Sequence, residues 1–282
     1  GADGASDRAA GPGAGRGPGG AEESGSDAAP ASTSEPSATE QEPSGGPSPD
    51  GSRPERGDGP QGAGRNARDG SAQVSGAVLA WTAASHVWQQ GCGHSYLVDR
   101  EPSRVPPPPV EQDAPGWASA QGAVHGGETV VEATVRAAGA EPVVVEDVYV
   151  RVTDRRAPLG WPAYAMSNGC GGALTPAAFT VDLDAARPVP RPRDGYDGEG
   201  GTPLPATRLP YQVTADEPLV LRVEAGTERY DCDWHLEVRW SSGGRSGTLR
   251  IDDGGEPFRT SGGGEGEAYG YDWTDGGWRT GG

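Results

Sequence analysis

The chain has 282 residues, with 41 acidic side chains against 23 basic ones, giving a net charge of −18 and a pI near 4.5. A surface this acidic repels phosphate backbones and anionic lipid faces, which sets direct nucleic-acid binding aside. Gly (48) and Pro (27) make up more than a quarter of the residues and hydrophobics only 33%, so part of the chain is unsuited to a packed core.

From Gly1 to Gln73 there is no Val, Leu, Ile, Phe, Met, Trp or Tyr, and twelve acids face six arginines. Nothing there offsets the entropy of ordering the chain, so residues 1–73 are expected to form a disordered acidic Gly/Pro/Ala/Ser linker. A soft coil of that length spans about 45–50 Å. Its opening, Gly-Ala-Asp-Gly, shows neither an initiator Met nor an apolar signal region, so the chain reads as a processed piece. No apolar run of about eighteen residues occurs, so no helical membrane span is expected.

Core-capable residues begin at Val74 and continue through Val78, Leu79, Trp81, Val87 and Trp88. Gln90 to His94 reads as a turn, Tyr96 to Val98 as a short strand, and Pro106 to Pro109 as a polyproline strut packed on the domain. Asp113 is placed to cap a short helix through Trp117 to Gln121, with Pro115 in its first turn where proline is tolerated. Alternating apolar residues then predict strands over Thr129–Ala137, Val143–Thr153, Phe179–Leu183, Tyr211–Val213 and Leu219–Val223. The Pro/Gly-rich, acidic stretch Arg187–Pro205 is expected to be a mobile loop.

The strongest pattern runs from Tyr230 to Thr260. Trp234, Leu236, Val238 and Trp240 alternate with Asp233, His235, Glu237 and Arg239, and Leu249 and Ile251 alternate again after a glycine-rich turn. That is a β-hairpin with one buried face. The sum is an all-β chain, an antiparallel immunoglobulin-like β-sandwich of about seven strands with one short helix. The sandwich is expected over 74–262, followed by a loosely ordered Gly/aromatic tail over 263–282 with one aromatic returning to the domain.

Candidate chemistry is sparse. No Gly-x-Ser-x-Gly elbow exists, and Cys92 and His94 sit two apart on a turn, a poor setting for a thiolate–imidazole pair. His86, His94, His125 and His235 lack zinc-ligand spacing, and Asp182/Asp184 and Asp252/Asp253 match no calcium-loop pattern. No metal, cofactor or catalytic residue is therefore expected. Cys92, Cys170 and Cys232 allow one disulfide and an odd thiol in an oxidising compartment, or three free thiols in a reducing one. Tyr269, Tyr271, Trp273 and Trp278 lie outside the expected strands and are candidate ligand-stacking aromatics, whereas Trp81, Trp88, Trp117, Trp234 and Trp240 sit in core positions.

Several stretches together carry a resemblance. Gly91-Cys92-Gly93-His94-Ser95-Tyr96-Leu97-Val98-Asp99-Arg100 leads into the proline strut and Trp117, and Tyr164-Ala-Met166-Ser-Asn-Gly-Cys170 leads into Phe179–Asp184. The hairpin ends Arg250-Ile-Asp-Asp-Gly-Gly-Glu-Pro-Phe-Arg-Thr260. From about Val74 to Ser261 the chain resembles the C-terminal, extracytoplasmic domain of actinobacterial (Streptomyces-like) membrane-anchored helix-turn-helix (XRE-type) regulators. The resemblance implies a DNA-binding domain and membrane anchor upstream, outside this sequence, and brings no catalytic residues. Relatives of that kind often open the hairpin Cys-x-Cys-x-Trp, where this chain has Tyr230-Asp-Cys232-Asp-Trp234. The resemblance thus implies one bridge lost and one kept, Cys170–Cys232 or, as the alternative, Cys92–Cys232. A kept bridge is worth about 2–4 kcal/mol.

The expected function is a non-enzymatic sensory or interaction domain of a membrane-tethered regulator, at the cell surface, with an extracellular or cell-wall ligand or protein as partner. The alternative is a secreted cell-wall or glycan-binding module that uses the exposed Trp and Tyr rings.

Overall fold

The structure is a computed structural model, and it describes residues 73–74, 78–89, 93–166, 174–198, 200–263 and 266–281. The expected linker, apart from Gln73, lies outside the described residues, as do Cys92 and Cys170. The described chain is mostly strand with one short helix. In chain order the first strands are β1 (Gln73–Val74), β2 (Leu79–Val87), β3 (Ser95–Leu97), β4 (Val124–Gly126), β5 (Glu128–Ala137) and β6 (Val143–Arg156), with α1 (Ala114–Gln121) between β3 and β4. There follow β7 (Ala163–Ala165), β8 (Leu174–Thr175), β9 (Ala178–Asp182), β10 (Arg191–Arg193), β11 (Gly195–Asp197), β12 (Thr202–Leu204) and β13 (Tyr211–Val213). The last are β14 (Leu219–Gly226), β15 (Asp231–Ser242), β16 (Arg245–Ile251), β17 (Phe258–Ser261), β18 (Ala268–Asp272) and β19 (Gly277–Thr280).

The seven expected strands are β5, β6, β9, β13, β14, β15 and β16, and the short strand at Tyr96 is β3. They make up part of a larger set arranged in three sheets. One sheet has the order β1-β2-β5-β14-β9-β10, a small one β12-β11-β8, and the longest runs β13-β6-β15-β17-β4-β3-β7-β18-β19 with β16 also on β15. Two expectations are corrected. The stretch Arg187–Pro205 holds β10, β11 and β12, and the C-terminal residues form the β18–β19 hairpin paired onto β7. The first stretch is poor in apolar residues, and in the second the alternation of Tyr269, Tyr271 and Trp273 is too short to stand out from the glycines and charges around it; both sets of strands gain their stability by adding to an existing edge.

The alternation read from sequence places the core. Leu79, Trp81, Val131, Ala133, Val135, Phe179, Val181, Leu221 and Val223 come from the six-stranded sheet; Val145, Val150, Trp234, Leu236, Val238, Leu249 and Ile251 come from β6, β15 and β16. They form one buried cluster between the two sheets, and a fully buried aliphatic side chain contributes about 1.5–3 kcal/mol. The hairpin register pairs Leu236 with Ile251 and Val238 with Leu249, which keeps the apolar set on one face. Ser242 pairs with Arg245, so the loop is Gly243-Gly244, with φ of +54° and +77°. Positive φ at both positions is the type I′ turn, whose twist matches that of the strands, and glycine supplies it without steric cost.

A second buried cluster is smaller: nine residues against twenty-five among those described. It holds Trp88, Tyr96, Val98, Val105, Tyr164, Met166 and Trp278 with Ala114 and Ala118 of α1. The strands around it, β4-β3-β7-β18-β19, join the rest of their sheet through β4 and β17, in parallel pairing over Thr260–His125 and Ser261–Gly126. At β10, Arg191-Pro192-Arg193 closes one edge of the six-stranded sheet.

Polar groups inside are tied down. The Trp234 indole N–H donates to Thr260 Oγ1 at 2.9 Å, and the Thr260 and Thr129 hydroxyls share a hydrogen bond of 2.6 Å. Asp231, 1% exposed in its side chain, receives Arg156 Nε at 2.9 Å and Arg259 Nη2 at 2.7 Å. Burial pushes its carboxyl up, but the two guanidinium groups outweigh that and hold it below the ordinary carboxylate range. Replacing Thr260 by Val strands the Trp234 N–H and the Thr129 hydroxyl in the core. Urea unfolding of T260V is expected to show a loss of about 2–6 kcal/mol, from about 1–3 kcal/mol for each of the two stranded buried groups.

Candidate functional site

The small lobe is assembled around the proline strut. A polyproline segment makes no internal hydrogen bonds, so its carbonyls are free to accept. Trp278 Nε1 donates to Val105 O and Trp117 Nε1 to Pro107 O, both at 3.0 Å. The chain then enters α1 through a 3₁₀ turn, Glu111–Asp113; Asp113 itself has helical backbone angles and makes no side-chain cap. The helix stops at Gly122, φ +63°, where Gly122 N–H bonds Ser119 O and Ala123 N–H bonds Ala118 O.

The four candidate stacking aromatics separate. Trp278 is 7% exposed and meets Tyr164 edge-on at 4.9 Å, so it is a core residue, drawn in by the pairing of β18 with β7. Tyr269 stacks on Tyr164 at 5.4 Å and donates its hydroxyl to Glu267. Tyr271 lies edge-on to both Trp278 (5.2 Å) and Trp273 (4.8 Å). Trp273, in the turn of the hairpin, is 67% exposed. Beneath that turn lies a recess of about 370 Å³ lined by Pro102, Val105, Pro107, Tyr271, Trp278 and Arg279. It offers aromatic walls and a cationic rim, the materials of a polar-ring binding site.

Three histidines gather where the two lobes meet. A register shift between Ala84 and Val87 puts an extra residue into β2, a bulge that re-aims the side chains around His86. His86 Nδ1 lies 2.6 Å from the Tyr96 hydroxyl on β3, and His125 Nδ1 on β4 lies 3.0 Å from His94 Nε2. The His86 and His125 rings are 4.8 Å apart, and His94 and His125 5.1 Å. Trp88 stacks over His94 at 6.2 Å. Burial lowers His86 to about 4; burial and the neighbouring His86 lower His94 to about 3; burial and both other rings push His125 well below the ordinary value. Nothing in the linear spacing of 86, 94 and 125 announces this cluster, because each residue comes from a different element. Among the described residues no group of three His, Cys, Asp or Glu side chains is arranged to hold a metal ion.

The other candidates hold turns and surfaces. Asp184 accepts from Thr227 Oγ1 and Glu228 N, and Asp252 from Arg250 Nε and Gly255 N. Asp253 faces Ser85, and burial raises its carboxyl. His235 stands apart on β15, lowered by burial and by Arg250. Cys232 is a buried free thiol, raised by its burial, so the disulfide expected at this residue is not formed among the described residues. On the outer face of the six-stranded sheet, a groove of about 930 Å³ runs past Asp184, Arg187, Arg191 and Arg229. In its floor, buried Glu224 is paired with Arg193 and, at 3.4 Å, with Arg222. Its lining mixes both signs of charge and includes no aromatic ring.

Compared with family models, curated proteins and solved structures, the chain matches none.

The aromatic assignment is directly testable. Trp278→Ala is expected to cost about 3–5 kcal/mol in thermal or urea unfolding, as for a buried tryptophan. Trp273→Ala is expected to stay within about 0.5 kcal/mol of the parent, as for an exposed side chain without partners of its own in the core.

Proposed function

We propose that the chain is a non-enzymatic binding module, the extracytoplasmic sensory or interaction domain of a membrane-tethered helix-turn-helix regulator. The resemblance over Val74–Ser261 supplies the regulator context, and the recess beside Trp273 supplies the binding face. The observation that carries the binding reading is the exposure of Trp273, edge-on to Tyr271, whose ring in turn lines the neighbouring recess with Trp278 and Arg279. An exposed indole and an arginine carried on the same hairpin suit a polyhydroxylated or acidic ligand of the cell envelope, which stacks on the ring and hydrogen-bonds the guanidinium. In this reading the larger core is an immunoglobulin-like sandwich on β5, β6, β9, β13, β14, β15 and β16, and the small lobe is its recognition end. DNA and membrane are reached only through parts outside this sequence.

The same face supports the second reading, a secreted glycan-binding module, because the stacking surface is common to both. Topology separates them. Protease shaving of intact cells that make the full-length gene product is expected to release this domain and leave an anchored stub; a wholly soluble product would favour the secreted form, and full protection would overturn the extracytoplasmic placement. For binding itself, muropeptide fragments of the cell wall are expected to quench tryptophan fluorescence saturably in the parent and not in Trp273→Ala. An equal response in the two proteins would remove Trp273 from the site.

A further inference from the structure

We propose that His86, His94 and His125 form an acid-operated latch that seats the small lobe on the six-stranded sheet. The geometry has three parts. First, the cluster spans the joint: His86 belongs to β2 of the six-stranded sheet, while His94, Tyr96 and His125 belong to the small lobe. Second, the strand contact that ties the small lobe to the rest of its own sheet is narrow, two residue pairs of β4 with β17, and His125 is in one of them. Third, the small core has fewer buried residues to hold it shut once the joint loosens.

Proton chemistry supplies the mechanism. The 3.0 Å contact between His94 Nε2 and His125 Nδ1 needs one facing nitrogen to keep its lone pair. One added proton can be accommodated; two leave N–H groups facing each other and two like charges in contact. The His86–Tyr96 contact tolerates a proton, because the tyrosine oxygen can then accept where it donated before. Among the described residues no carboxylate is hydrogen-bonded to any of the three rings. The charged and titratable groups on the surrounding elements are Tyr96 on β3, Glu111 bonded to Trp88 N, Glu128 bonded to Gln89 at the start of β5, and Asp253 facing Ser85. Each of these carboxylates has its partner outside the imidazole cluster. The added charge would therefore remain uncompensated.

The direction follows from linkage. All three rings have lowered values when folded, near 4 for His86 and near 3 for His94, against 6.5 when exposed. Above pH 6.5 both forms are neutral and the closed lobe keeps its full stability. Below it, the open form takes protons that the closed form refuses, so stability is lost as pH falls from 6.5 towards 4. Each refused proton favours the open form up to about tenfold per pH unit. The buried carboxylate Asp231 is held below 3.8, so its loss falls at lower pH and does not overlap this window. The latch stands whether or not the recess takes a glycan.

Hydrogen exchange of the whole chain, read by mass spectrometry between pH 7 and pH 4.5 with correction for intrinsic rates, tests it. Peptides covering 94–126 and 268–280 are expected to gain opening at least about tenfold from pH 7 to 5, while peptides covering 219–251 stay protected. His94→Phe with His125→Phe is expected to flatten that response. Should this pair fail to fold, the milder His86→Gln is expected to shift the transition, and imidazole titrations by NMR in the parent are expected to fall below 6. Opening of all peptides together, no change down to pH 4.5, or imidazoles titrating at 6.5 would each overturn the latch.

Discussion

The hydroxyl of Thr260 sits where the molecule changes direction, and much of the structure is arranged to keep it satisfied. It accepts from the indole of Trp234, deep in the hairpin, and shares a proton with Thr129 on the opposite sheet. Its own strand, β17, pairs on one side with β15 and on the other with β4. The same residue thus links the large core, the six-stranded sheet and the small lobe. Immediately after β4, Gly127 (φ +77°) gives its N–H to Ser261 O and takes Thr227 N–H on its carbonyl, completing the corner by which the chain passes from one sheet to the other. An apolar residue at 260 would pack as well but leave the corner unpaired.

The two lobes follow different logics. The large core depends on period-two alternation over long strands, so its register is fixed by which face is apolar. Strands in the small lobe are mostly three to five residues long. Its order comes instead from rings and from indole N–H groups that find carbonyls on a segment unable to pair with itself. A polyproline stretch is already extended before folding, so fixing it costs little entropy, and Trp278 and Trp117 need only hold it at Val105 and Pro107.

That contrast explains what could be read from the residues alone. Trp234, Leu236, Val238, Leu249 and Ile251 announced their strands because each apolar residue is followed by a polar one. β2 was missed as a strand because Ala83, Ala84 and Ser85 interrupt the pattern, and the bulge there breaks the period outright. Trp278 looked like an exposed ring because its neighbours are glycines and charges; its burial depends on Tyr164 and Val105, more than a hundred residues away. The histidines were unreadable for the same reason. Imidazoles brought together by a bulge, a loop and a three-residue strand have no linear signature, whereas an i, i+4 pair on a helix would have had one.

The Arg-Pro-Arg segment at the rim of the six-stranded sheet has a consequence for what can be added to that sheet. An open strand edge is a template on which a second molecule can extend the sheet, and a third can follow. At β10 the ring of Pro192 removes a donor, and Arg191 beside it is exposed, while Arg193 is paired with Glu224. A strand added at that rim would go without the ladder hydrogen bond that the proline cannot donate.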